Sequence, residues 1–164
     1  MDQINNFKTD LLIDGNFGKL TKHLRFYGIS VYYNINKDHF LLETIANDHK
    51  IPLITSSKKH KNNTYCLILP DHVKTKLISQ IDFLCENHQI NELFKIMNTR
   101  CGLCNNLLTI VDSEDYMNHL PSKTLKFYQE SVKNLKVWFC FQCRKSYWEG
   151  THWNQILQKI DKWY

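Results

Sequence analysis

The sequence predicts an α/β protein in which a parallel sheet is flanked by helices and followed by a small C-terminal unit organised by cysteines. Two observations predict this class. Four short apolar runs, "TDLLID", "SVYYN", "IPLITS" and "TYCLIL", alternate with segments of helical period through the first part of the chain, which is the pattern of strand–helix–strand units. Four of the six cysteines then fall into two C-x-x-C pairs, Cys101/Cys104 and Cys140/Cys143. A length of 164 residues with 43% hydrophobic content supplies one sizeable core with a small appended unit, not two large domains. The expected division is residues 1–98 for the α/β domain and 99–164 for the cysteine-bearing unit.

The elements follow in order. The first strand ends at Asp14, and a helix from about Asn16 to Tyr27 places Phe17, Leu20, Leu24 and Tyr27 on one side, with Gly28 as its stop. Its other side carries Lys19, Lys22 and His23, with Arg25 at the margin. After the second strand, a helix from about Asp38 to His49 buries Leu42, Ile45 and Ala46. "DHVKTKLISQIDFLCENHQINELFKIMN" reads as one or two further helices. Between the cysteine pairs, Tyr116, Leu120, Leu125 and Tyr128 recur among polar residues, with Ser113 and Ser122 placed to cap a broken helical insertion. A short strand around Ser146 to Trp148, a turn at Gly150 and a final helix bearing Trp153, Ile156, Leu157 and Ile160 complete the chain. The aromatics of that helix are expected to pack a small core.

Composition narrows the function classes. The opening residues hold no apolar run ahead of a cleavage site, and no stretch of about 18 apolar residues occurs, so a soluble, cytoplasmic chain in a reducing compartment is expected. There disulfides are disfavoured, and two C-x-x-C pairs supply four thiolates to one tetrahedral Zn²⁺. A redox role would ask for a single pair at the start of a helix. Lys and Arg outnumber Asp and Glu by 21 to 16, a net charge of +5 with eight histidines neutral, which suits a polyanionic partner better than an acidic surface.

In a parallel sheet, ligands collect beyond the carboxyl ends of the strands. Asp14 ends the first strand, Thr55 to Ser57 end the third, and Glu43 lies early in the second helix. Carboxylates gathered there would bind Mg²⁺ or Mn²⁺ through hard oxygen ligands and activate water against a phosphodiester. The residues alone leave other roles open: Asp14 as a turn residue before Gly15, Asp38 as a helix cap, Glu43 as a solvated glutamate.

"LLIDGNFGKLTKHLRFYGISVYY", "DHFLLETIANDHKIPLITSS", "RCGLCNNLL", "HLPSKTLKFY" and "WFCFQCRKSYWEGTHW", in that order, resemble the Mut-seven C-terminal RNase family, a PIN-like domain with an attached zinc ribbon. The resemblance implies metal-dependent RNase activity as the family's proposed function. It makes Asp14 the first-strand acid of a D-G-x-x-G-K-L motif, Glu43 the acid of an L-L-E-I-A helix, and Asp38 an acid that opens that helix. These three are the candidate catalytic residues. Cys101, Cys104, Cys140 and Cys143 match the zinc ligands, and Tyr147, Trp148, Gly150 and His152 match a Y-W-x-G-x-H signature.

One match fails. Where the family follows its third strand with T-R-D, this chain reads Thr55-Ser56-Ser57. Ser57 offers a neutral hydroxyl in place of an anionic ligand, so metal affinity and catalysis should fall unless another acid moves in. Asp71, after the fourth strand, is placed either to do so or to cap the next helix. Lys58, Lys59, His60 and Lys61 form a basic run beside this loop, and with Lys19, Lys22 and Arg25 they are the candidate contacts to a phosphate backbone. The expectation is a hydrolase-type, RNA-directed protein with a weakened acidic site, a Mg- or Mn-dependent endoribonuclease if active. The alternative is an inactive module that binds single-stranded RNA or a ribonucleoprotein.

Overall fold

The computed structural model describes residues 8–34, 39–95, 99–111, 115–128 and 136–149, together with Gln158 and Trp163. Asp38, Ser113, Gly150, His152 and the expected final helix with Trp153, Ile156, Leu157 and Ile160 lie outside the described residues. The chain forms two compact units, residues 1–105 and 106–164.

The first unit is the expected parallel sheet. β1 (Leu11–Asp14), β2 (Val31–Asn34), β3 (Leu53–Thr55) and β4 (Cys66–Ile68) run in the order β2-β1-β3-β4. All four residues of β1 are buried, as a central parallel strand covered on both faces requires, and this is why its sequence is a continuous apolar run and does not alternate. Leu11 pairs with Val31 and Asp14 with Asn34 on one side; Leu12 pairs with Leu53 on the other. The chain therefore leaves β1 for β2, then crosses back to β3 on the opposite side of β1. The strand order reverses between β1 and β3, and Asp14 and Thr55, both fully buried, end those strands.

α1 (Gly18–Phe26) buries Leu20 and Leu24, flanked by Phe17 and Tyr27. At its end Gly28 takes φ +85°, and a Cβ there would lie 2.0 Å from the carbonyl oxygen of Lys95, so glycine is required twice over. α2 (His39–His49) turns Leu42, Ile45 and Ala46 onto Leu12, Ile51 and Leu53. Each such aliphatic side chain contributes about 1.5–3 kcal/mol on full burial. "DHVKTKLISQ…" resolves into 3₁₀ turns at Asp71–Val73 and Ile90–Leu93 around α3 (Leu77–His88). Asp71 does not cap α3: it opens the first of these turns, and the residue at the start of α3 is Lys76, with no side-chain cap bond.

The first cysteine pair packs with the α/β unit. Arg100 donates its backbone N–H to the Arg25 carbonyl and its guanidinium to Gly28 and Asn105 carbonyls. Asn105 accepts from Val31 N–H and donates to Ser30 Oγ. In the second unit, β5 (Thr109–Val111), β6 (Val137–Cys140) and β7 (Lys145–Trp148) form an antiparallel sheet in the order β5-β6-β7. The broken insertion is α4 (Tyr116–His119) and α5 (Ser122–Tyr128), and Leu120 and Leu125 pack with Val111, Val137 and Trp148.

Candidate functional site

The cysteines assemble as their spacing required. The thiol sulfurs of Cys101, Cys104, Cys140 and Cys143 all lie within 4.8 Å of one another, Cys101 and Cys140 buried and the other two half-buried. Tetrahedral Zn²⁺ with bonds of about 2.3 Å would hold its sulfurs roughly 3.8 Å apart, so the donor set fits structural zinc. The residue after each pair, Asn105 at φ 69° and Arg144 at φ 51°, is left-handed; the two knuckles share this backbone turn although neither carries the glycine that would announce it. The two other cysteines offer no such site. Burial and the nearby Glu43 charge push the Cys66 thiol up to about 11, which keeps it protonated and unreactive, and Cys85 is buried in α3.

Asp14 sits where the parallel sheet changes strand order, and three of its acceptor positions are in use. Oδ1 accepts the Asn16 N–H at 2.9 Å, while Oδ2 accepts the Thr55 hydroxyl at 2.6 Å and the Ser56 N–H at 3.3 Å. Thr55 Oγ1 in turn accepts the Ser57 N–H. Asp14 thus closes the β1–α1 turn and ties it to the end of β3, with three donors compensating a buried carboxylate.

Glu43 is held elsewhere. Its Oε2 accepts from His60 Nδ1 and its Oε1 from Asn63 Nδ2, each at 3.0 Å. The Asn63 amide, aided by His60, holds the Glu43 carboxyl below its usual range against a smaller opposing effect of burial. An ionised carboxylate only accepts, so the His60 proton that faces it is on Nδ1. Among the described residues, the four cysteines are the group of three or more His, Cys, Asp or Glu side chains close enough to hold an ion. A Mg²⁺ or Mn²⁺ site needs several hard oxygen ligands on one centre; of the three candidate acids, Asp14 and Glu43 are bonded as above and Asp38 lies outside the described residues.

Cations stand beside the Asp14 loop instead. Asp71 pairs with Lys58 at 3.0 Å and with Lys74, whose ammonium also donates to the Ser56 carbonyl at 3.5 Å. The Lys74 and Lys58 bonds pull the Asp71 carboxyl down to about 2. Lys74 and Lys19 line a cavity of about 410 Å³ with Asn16, Gly18, Tyr33 and Gln80, at the carboxyl end of β1. Lys19, Lys22 and Lys59 are exposed.

Two expected basic contacts are corrected. Arg25 is 6% exposed; its guanidinium donates to the carbonyls of Val31, Gly102 and Leu103, which leaves it no face for a phosphate. His60 is 7% exposed and belongs to the Glu43 pair, not to a basic surface run. Sequence reasoning did not single out Lys74 or Asn63, since a lysine in a polar turn and an asparagine among asparagines carry no signal until the loops are folded together.

A family model described as the Mut7-C RNAse domain matches residues 9–160. The chain belongs to the Mut7-C RNase family. No curated protein and no solved structure matches it. Within the Mut7-C frame the match spans both the parallel sheet with Asp14 and the four cysteines, so the two motifs belong to one family architecture. No helix among the described residues is long and apolar enough to cross a membrane.

Proposed function

We propose that this Mut7-C chain is an RNA-directed protein that grips single-stranded RNA through its phosphates, with an acidic site too depleted for efficient metal-dependent cleavage. The observation that carries the reading is the charge at the switch between β1 and β3. The one buried acid there, Asp14, has three donors already, and the adjoining cavity is lined by Lys19 and Lys74. Such a cavity is electrostatically suited to a phosphodiester. Lys22 and Lys59 extend the cationic set, and Lys58 and Lys74, both bridged to Asp71, contribute less. Zn²⁺ on the four cysteines would supply folding energy and no chemistry.

The second reading, a Mg- or Mn-dependent endoribonuclease, draws on family membership and on the presence of Asp14 and Glu43, with Asp38 as a further acid. It requires Glu43 to leave His60 and Asn63. One set of measurements separates the two readings. With phosphate contacts from Lys19, Lys22 and Lys59 on a single strand, the logarithm of affinity should fall against the logarithm of salt with a slope of about −2, and Lys19→Glu with Lys59→Glu should flatten it. Cleavage of mixed RNA with Mg²⁺ or Mn²⁺ should be slow or absent in the wild type and should rise in Ser57→Asp, because a third anion lets a divalent ion compete for Asp14. Rapid wild-type cleavage abolished by Asp14→Asn would establish the nuclease instead. Affinity unchanged up to about half-molar salt would overturn the phosphate grip.

A further inference from the structure

Away from the Asp14 loop, α2 and the segment joining β3 to β4 enclose a second cavity of about 340 Å³, lined by Glu43, Asn47, Lys59, His60, Asn62, Asn63, Thr64 and Tyr65. Ligand pockets run from about 300 to 1,000 Å³, so this one has room for about a single nucleotide and not for a strand. Its floor is built before any ligand arrives. Asn63 bonds Glu43 through its amide, accepts the Tyr65 N–H at 2.9 Å on its Oδ1, and donates its own N–H to the His60 carbonyl. Glu43 is thereby pinned by His60 on one oxygen and Asn63 on the other, while its side chain remains 33% exposed.

The unused groups have a common chemistry. A carboxylate has about four acceptor positions, and two of Glu43's are taken, which leaves one on each oxygen. Two adjacent donors on one ligand edge would satisfy both. Asn47 lies one helical turn beyond Glu43 on α2 and is exposed, as is Asn62; neither carboxamide has a partner among the described residues, so each offers a donor and an acceptor. Lys59 is exposed at the wall and makes no ion pair among the described residues. Tyr65 packs against the α2 core and contributes an aromatic ring to the lining. The His60 ring is also part of the wall, and its buried Nε2 has no partner among the described residues, a cost of about 1–3 kcal/mol unless something serves it.

We infer that this pocket receives one guanine nucleotide of a single-stranded RNA, with the guanine N1–H and N2 amine donated to Glu43, an asparagine amide on O6, and the phosphate on Lys59. Guanine is the RNA base whose Watson–Crick edge places two donors side by side; adenine and cytosine offer one exocyclic amine next to an acceptor, and uracil a single N–H between carbonyls. Unpaired bases are read on that edge, with stacking on aromatic rings. The inference rests on the RNA-directed reading above and gives Glu43 a role in base recognition in place of metal binding.

The test uses the whole zinc-loaded protein and labelled five-nucleotide oligouridylates carrying guanosine, inosine, adenosine or cytidine at the centre. Inosine keeps N1–H and O6 and lacks only the N2 amine. Guanosine should bind about tenfold more tightly than each of the others, the scale of a good paired contact to a base. Glu43→Gln should erase the guanosine-over-inosine preference while the salt slope persists, and Asn47→Ala, at an exposed position, should weaken guanosine binding even if Glu43→Gln fails to fold. Binding of all four oligonucleotides with equal affinity, or a guanosine preference untouched in both variants, would overturn the pocket and leave the phosphate grip standing. Failure to bind any of them would overturn both.

Discussion

Arg25 shows how one side chain can change its meaning between sequence and structure. On a helical projection it lies at the margin of a face with Lys19, Lys22 and His23, and a cation there reads as surface. In the fold its Nε and Nη2 reach the Val31 carbonyl, and its Nη1 reaches Gly102 and Leu103 in the first cysteine knuckle. A guanidinium can do this because its donors fan out in one plane and it stays charged; a lysine could not serve three carbonyls spread in this way. Arg25→Met would keep much of the volume and leave those carbonyls without their donor, at about 1 kcal/mol or more each. The expected loss is about 3 kcal/mol, measured by urea unfolding. RNA affinity of the protein that remains folded should change little, since Arg25 has no exposed charge to lose.

At the level of elements, the starts and faces of the helices were legible and several of their ends were not. Leu20/Leu24 and Leu42/Ile45/Ala46 carry the 3.6-residue period and are the buried faces observed. Gly28 announced the end of α1. α2 and α3, by contrast, stop at Lys50 and Gln89, which take φ of 55° and 52°, a conformation that side chains other than glycine adopt at a cost. Tertiary packing imposes those stops, so local propensity gives no sign of them. Opposite outcomes are therefore expected at two helix ends. Gly28→Ala should destabilise by more than about 2 kcal/mol, through strain at positive φ and collision with the Lys95 carbonyl. Gln89→Gly, which relieves a strained position, should stabilise by about 0.5–1 kcal/mol. Thermal or urea unfolding of the two variants reads both signs.

For the whole molecule, zinc is the clearest consequence of the cysteine cluster. One equivalent per chain is expected by elemental analysis of protein purified without chelator, and Cys101→Ser or a strong chelator should lower the melting temperature and unravel the β5–β7 sheet, because a small ribbon gains much of its folding energy from the metal. The sequence by itself determined the parallel α/β class and the two C-x-x-C pairs, since these rest on periodicity and spacing, local properties that a chain displays whether or not it is folded, and it carried the motifs by which the chain resembles its family. It also marked the loss of an acid at Ser57. The tertiary structure alone decided what the remaining charges do. It engaged three of Asp14's acceptor positions with Asn16, Thr55 and Ser56, drew Glu43 to His60 and Asn63, buried Arg25, and set Lys74 against Ser56. Each of those pairings joins residues from different loops, and a charged side chain can serve a metal, a phosphate or its own backbone equally well until packing fixes which partner lies within about 3 Å.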